Sequence, residues 1–235
     1  MINTIFLQAF QVAADTSKQA ADMSTSATEN TLSLWDMLLK GGPIMIPIVI
    51  LSFIAVYVFI ERFLVIKAAS KIDANFMNNI KDLIHNGNTE AAYTLCKNAE
   101  SSQARVIAKG ISRMGRPYKE IEEAMESAGK LESNRLEKNV SILSIVAGIA
   151  PMFGFIGTIL GVIKIFYTIS LTDDISIKVI SGGLYEKMVT SASGLVVGVL
   201  AFVFYHWINI MIDRLLNNVE SNSVDFIETI QGIKK

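Results

Sequence analysis

A few hydroxyls and one carboxylate, set among apolar residues, are where this 235-residue chain can do chemistry. Thr158 lies in the string Ala150-Pro151-Met152-Phe153-Gly154-Phe155-Ile156-Gly157-Thr158-Ile159-Leu160-Gly161, inside a charge-free run over residues 139–163. Thr190 and Ser191 open a second charge-free run, residues 188–212. Such hydroxyls do not titrate, but each donates one hydrogen bond and accepts others, so it can order water or hold a carboxyl group. Glu186 and Lys187 stand just before the second run, and Lys164 just after the first. Ionisable groups near membrane depth are expensive and face a polar interior. Lys164 lies six residues beyond Thr158, and Glu186 five beyond Ser191. If the two hydroxyls share a level, both charges sit about 8 Å further out by helix rise. That count predicts an ion pair between Glu186 and Lys164 at the outer end of the two runs, with Lys187 as the competing partner.

Small residues must hold these groups in place. Ala147, Ala150, Gly154, Gly157 and Gly161 recur at spacings of three and four, as do Ser191, Gly194, Gly198 and Ala201. Each set falls on one helical face. Lipid is as apolar as leucine, so helices in it associate through close packing and interhelical hydrogen bonds. The two stripes are therefore expected to pack helix on helix.

Composition narrows the class. The chain is 51% hydrophobic with mean hydropathy +0.42, too apolar for an ordinary soluble domain. A formal net charge of −1 gives no reason to expect a nucleic-acid partner. A single cysteine, Cys96, allows no intrachain disulfide, and His85 and His206 lack companion ligands for a metal. There is no phosphate-cradling glycine loop, zinc-protease helix or nucleophile elbow. No catalytic residue and no cofactor are assigned, and the chain is not read as an enzyme.

A third charge-free run, residues 41–60, completes a set of three. A hydrocarbon core of about 30 Å needs roughly 20 helical residues, so each run can span. Arg62, Lys67 and Lys71 follow the first run, and Lys130, Arg135 and Lys138 precede the second, whereas Lys40 and Lys178 lie on the other side. By the positive-inside rule the long middle segment is cytoplasmic, the N-terminus periplasmic and the C-terminus cytoplasmic. The fold class is all-α, a polytopic membrane protein with three transmembrane helices, two of them extended into a cytoplasmic helical bundle. Residues 1–40 form a periplasmic segment, whose first ten residues lack the basic n-region of a cleaved leader. It ends in an interfacial helix bearing Leu32, Leu34, Trp35, Leu38 and Leu39. The spans are 41–66, 139–167 and 183–212, with a cytoplasmic domain over 67–138, a periplasmic loop over 168–182 and a cytoplasmic helix over 213–235. Gly87 and Gly115-Arg116-Pro117 divide the cytoplasmic domain. From Pro117 the apolar residues Ile121, Met125, Ala128 and Leu131 keep helical spacing with no breaker before the second span. One continuous helix of about 50 residues, roughly 75 Å, is expected there. The third span continues past Asp213, with Leu215, Leu216, Val219, Phe226, Ile227 and Ile230 turned inward.

The second-span string resembles the signature of the MotA/TolQ/ExbB proton-channel family. Glu61-Arg62 closing the first span, and Gly183-Leu184-Tyr185-Glu186 leading into Thr190-Ser191-Ala192-Ser193-Gly194-Leu195, match it as well. Three spans rather than four point away from the flagellar stator branch and toward the ExbB-like and TolQ-like branches, ExbB first. The resemblance implies a ring, typically of five chains, around single-span partners of ExbD or TolR type. The partner's membrane aspartate takes up and releases protons, and the assembly drives TonB or TolA toward the outer membrane from the bacterial inner membrane. Within it Thr158 matches the second-span threonine, Ser191 the third-span threonine with Thr190 beside it, and Glu186 the glutamate opening that span. Ser191 replaces threonine, Leu200 stands where proline is usual, and His206 follows Tyr205 where asparagine is common. Lys164 and Lys187 are not hallmarks of the family.

The residues themselves support the same division of labour. A proton path needs a group whose protonation cycles, and the spans are read as offering only Glu186 near one edge, so a partner is expected to bring the mid-membrane acid. A non-conducting scaffold would share the small stripes without needing the hydroxyls.

Overall fold

The computed structural model describes residues 42–73, 75–172 and 177–233, and these are helical, with short connections. The chain divides into two units, of which the first, Met1–Gly42, lies outside the described residues except for Gly42. The interfacial helix read around Trp35 therefore falls outside them. The elements are α1 (Met45–Ala69), α2 (Phe76–His85), α3 (Thr89–Asn98), α4 (Ser102–Ile111), α5 (Tyr118–Glu137), α6 (Val140–Thr172) and α7 (Ile177–Ile233). Three of them, α1, α6 and α7, carry stretches long and apolar enough to cross a membrane. α2, α4 and α5 pack against the continuation of α7, and α3 packs on α2 and α4, as a bundle at one end of these three. The end of α6 at Thr172 and the start of α7 at Ile177 mark the other, distal end.

Both sides of the three spanning helices are apolar, so burial and not hydropathy shows which face packs inward. On α1 the buried residues Met45, Ile48, Ala55, Val58, Arg62, Ile66 and Ala69 follow one face. Phe59 stacks on Phe204 of α7 with ring centroids 4.2 Å apart. The opposite face exposes Ile50, Phe53, Tyr57 and Leu64. Water would not tolerate such a surface, and lipid or further helices would.

The bundle is set by local signals. Gly87 (φ 73°) and Gly115 (φ 92°) take left-handed turns that favour glycine. Asn88 caps α3 by accepting from the Ala91 amide at 3.2 Å, and Pro117 stands at the start of α5. A further break at 99–101, not foreseen in the sequence, separates α3 from α4. There Ser101 is extended (φ −86°, ψ 154°) and accepts from the Ala104 amide at 3.2 Å. α4, α5 and α7 meet at Gly110, where an added Cβ would lie 2.6 Å from Met125 Sδ and 2.8 Å from Phe226 Cε1. The inward stripe of α7 runs through Leu215, Val219, Phe226 and Ile230, all buried, with Leu216 and Ile227 half-buried against it.

Two expectations need correction. The long helix is interrupted: α5 ends at Glu137, Lys138 is extended (ψ 132°), Asn139 is left-handed (φ 64°), and α6 starts at Val140. Asparagine tolerates that region better than other non-glycine residues, which is why no glycine or proline betrays the joint. The stretch 168–182, read as a loop, is helical as far as Thr172 and again from Ile177.

The stripe on α5 is also rotated by one position. Ile121 and Met125 are buried, but Leu131 is 69% exposed and Glu132 takes the inward place at 8%. Its carboxylate accepts from Ser102 Oγ at 2.9 Å and from Arg105 Nε at 2.7 Å and Nη2 at 2.5 Å. Burial alone would raise the Glu132 pKa, yet the Arg105 and Ser102 hydrogen bonds and the charges of Arg105 and Arg135 outweigh it and hold it below the ordinary range. A depressed carboxyl stabilises the fold above its unfolded value of about 4.3, and the contribution disappears as pH falls through the lower folded value. Glu132→Gln is expected to lower stability by about 2–3 kcal/mol at neutral pH, the scale of charged hydrogen bonds lost in a mostly buried site. The gap in Tm between wild type and mutant, in mild detergent, should narrow well below pH 4. An unchanged gap at acid pH would show that ionised Glu132 is not its source.

Candidate functional site: the α6–α7 seam

α6 and α7 run antiparallel, and the glycines let their backbones nearly touch. A Cβ added at Gly194 would lie 2.6 Å from the Ala150 carbonyl oxygen and 3.0 Å from Gly154 Cα. At Gly154 it would lie 3.0 Å from the Ser191 carbonyl oxygen, and at Gly157 2.8 Å from Thr190 Cγ2. At Gly198 it would meet Pro151 Cγ at 2.5 Å and the Ala147 carbonyl oxygen at 3.1 Å. Pro151 cannot donate to the Ala147 carbonyl in the preceding turn, and that carbonyl faces the bare Gly198 backbone. At Gly161 the neighbour is the alkyl stem of Lys187, close along Cγ, Cδ and Cε.

The pairing sets the levels. Gly154 lies beside Ser191, Gly157 beside Thr190, and Gly161 beside Lys187. Thr158 and Ser191 therefore do not share a level: Ser191 sits opposite a residue four positions before Thr158, about 6 Å nearer the bundle. The premise for pairing Lys164 with Glu186 is thereby lost.

The hydroxyls have three different surroundings. Thr158 is half-buried at the edge of the seam and donates to the Phe155 carbonyl at 2.6 Å. Thr190 is fully buried against Gly157 and donates to the Glu186 carbonyl at 3.1 Å. Ser191 is half-buried, with its backbone against Gly154. Thr190 thus fills the interface between α6 and α7, while Thr158 and Ser191 reach its margin. Bonds from a hydroxyl to its own preceding turn satisfy it while leaving its lone pairs for water or a carboxyl group.

The charged groups gather at the distal end. Lys187 Nζ is 2.7 Å from Glu186 Oε1, with the lysine side chain 15% and the glutamate 38% exposed. Lys164 is exposed and makes no ion pair among the described residues. Lys187 and not Lys164 is therefore the partner of Glu186. Lysine wins because its stem lies in the space that Gly161 leaves, folding the ammonium back onto the preceding residue.

The surroundings of three features were not read from the sequence. His206 also lies in an apolar run and carries an imidazole there, with Nδ1 3.0 Å from the Phe202 carbonyl and its ring 4.1 Å from that of Phe202. Glu186 is therefore not alone in the spans, and the histidine itself was the visible signal. Arg62 is 5% exposed: it pairs with Glu61, and Nη1 donates to the Arg135 carbonyl at 3.4 Å. It thus places a cation on the last turn of α5, where unpaired carbonyls and the helix dipole favour one. The Ser102–Arg105–Glu132 cluster left no signal beyond a glutamate one step from an apolar stripe. Among the described residues no cluster of three metal-ligating side chains occurs.

A profile of the MotA/TolQ/ExbB proton channel family matches residues 98–221, more than half of the chain and all of the seam. The putative biopolymer transport protein ExbB-like 3 of Synechocystis sp. is 27% identical over 168 residues, 71% of this chain and 80% of that protein. The biopolymer transport protein ExbB of Xanthomonas campestris pv. campestris is 28% identical over 112 residues, 46% of this chain and 44% of its own length. The Tol-Pal system protein TolQ of Haemophilus influenzae is 26% identical over 110 residues, 47% of this chain and 46% of its own. With three apolar helices and a glycine-packed seam carrying membrane-depth hydroxyls, this membrane protein belongs to the MotA/TolQ/ExbB proton channel family.

Proposed function

We propose that the chain is an ExbB-like motor subunit of the bacterial inner membrane, coupling proton flow to TonB-dependent transport across the outer membrane. Five copies form a ring in which α6 and α7 line a central pore and α1 faces lipid. The single spans of ExbD-like partners occupy that pore. The observation that carries this is the absence of any Asp or Glu between residues 139 and 163 or 188 and 212, where hydroxyls stand instead. Thr158 and Ser191, with Thr190 behind them in the seam, order water or hold the partner's carboxyl group. Glu186 and Lys187 lie at the pore mouth, and Lys164 beside it. The excess of Arg and Lys around the bundle supports a cytoplasmic bundle and C-terminus, with the N-terminus and the α6–α7 connection in the periplasm. The match to TolQ supports a second reading, the same machine with TolR-like and TolA-like partners. Neither requires catalysis or a cofactor.

Native mass spectrometry in mild detergent is expected to show a closed homo-oligomer, five times the 25.8 kDa chain. A stable monomer or dimer would overturn the ring. Vesicles holding the ring and its partner should take up protons, and should stop when the partner's membrane acid becomes an amide. Assembly without any such uptake would leave a non-conducting scaffold.

A further inference from the structure

Adjacent residues on a helix point about 100° apart and do not face each other. An ion pair between Glu186 and Lys187 therefore needs the lysine chain to fold back and lie flat. Gly161 supplies the space. A Cβ there would overlap the stem from Cγ to Cε, and the lysine side chain, 15% exposed, is sunk into the groove between α6 and α7. At the far end of that stem the ammonium is 2.7 Å from Glu186 Oε1. Lys164, also at this end, is exposed and makes no ion pair among the described residues.

We propose that Lys187 is a positioning residue, its stem seated in the notch at Gly161 so that the ammonium holds the Glu186 carboxylate at the distal end of the seam. Gly161 then has a second duty beside helix packing: it is the seat of a side chain from the neighbouring helix. Glu186 is the residue acted upon, one turn beyond Thr190, whose hydroxyl bonds the Glu186 carbonyl. Its importance for conduction rests on the function proposed above, but its pairing does not.

The test reads the carboxyl group directly. A hydrophobic carbodiimide adds more slowly to a carboxyl group held against an ammonium than to an unpaired one, so labelling of Glu186 in the detergent-purified full-length protein reports on the pair. Labelling is followed by peptide mass spectrometry. Lys187→Met keeps the stem and removes the ammonium, and Gly161→Ala keeps both charges and removes the seat. Each is expected to raise the labelling rate of Glu186 roughly two- to fivefold, the scale of a half-exposed ion pair. Gly161→Ala added to Lys187→Met should raise it no further, since both act through one contact. Gly154→Ala crowds the same seam without touching Lys187 and should leave the rate unchanged. A rate unmoved by Lys187→Met or by Gly161→Ala overturns the proposal, as does an equal rise in Gly154→Ala, which would mean general loosening of the seam. If labelling changes as stated while proton uptake does not, the positioning stands and the role of Glu186 in conduction falls.

Discussion

Gly194→Ala is expected to destabilise the protein by about 3 kcal/mol, the upper range for forcing a methyl group into a packed interface. The reason is the identity of the atoms in the way. The new Cβ would stand 2.6 Å from the Ala150 carbonyl oxygen and 3.0 Å from both Cα and N of Gly154. All three are backbone, so no side chain can swing aside and the helices must separate along the seam. Separation would also loosen the neighbouring contacts at Gly154 and Gly198. Alanine is the better helix former by up to about 1 kcal/mol, which opposes the loss without cancelling it. Gly148→Ala is the matched control: it lies on the same helix as Gly154, with nothing within 4 Å of the added methyl. It should be neutral or stabilising by up to about 1 kcal/mol. Unfolding in detergent measures both, and similar losses in the two would mean that glycine matters here for helix flexibility and not for close approach.

The contrast between Gly194 and Gly148 shows how far the sequence could be read. A small-residue stripe at spacings of three and four identifies the close face of a helix, because little else makes glycine useful inside a lipid-embedded helix. Gly148 falls off that spacing and meets nothing. The three apolar runs and the inward stripe on α7 were legible for a similar reason: span length and helical period follow from the bilayer and from helix geometry. Register between α6 and α7 was not legible, since periodicity gives each face but not the offset of one helix against the other. Assuming equal depth for Thr158 and Ser191 therefore put Lys164 beside Glu186, whereas the packing of Gly161 against Lys187 selects the other lysine. The burial of Thr190 was not legible for a related reason, as a hydroxyl adjoining a glycine stripe looks the same in sequence whether it points into the seam or out of it. The joint at Lys138 and Asn139 was hidden because asparagine enters the left-handed region without announcing it. Glu132 was hidden because a paired, buried carboxylate has the same letter as a solvated one, and its partners Ser102 and Arg105 come from another helix.

On the function proposed above, Thr158→Val is expected to leave assembly and stability nearly intact and to abolish most proton-driven transport. Valine keeps the shape of threonine and replaces only the hydroxyl. That hydroxyl donates to the Phe155 carbonyl at 2.6 Å, within its own helix, so losing it breaks no contact between helices. The carbonyl continues to accept in the helix ladder, and β-branching is kept, so the expected stability change is within about 0.5 kcal/mol. The effect on function follows from what the hydroxyl offers outward. Thr158 is only half-buried, at the margin of the seam, and its lone pairs are open to water or to a carboxyl group arriving on a partner helix. Such a bond in a membrane interior is worth about 0.5–2 kcal/mol. That is too little to decide folding and enough to misplace a proton-carrying acid, whose transfer requires the next group within hydrogen-bond reach. Thr158→Ser, which keeps the hydroxyl and drops the methyl, should retain most activity, while Thr190→Val should act mainly on packing because Thr190 is buried against Gly157. Proton uptake by vesicles carrying the assembled complex, with oligomer size measured in parallel, separates the cases. Wild-type uptake in Thr158→Val would reduce Thr158 to a packing residue and leave Ser191 as the remaining hydroxyl at the margin of the seam.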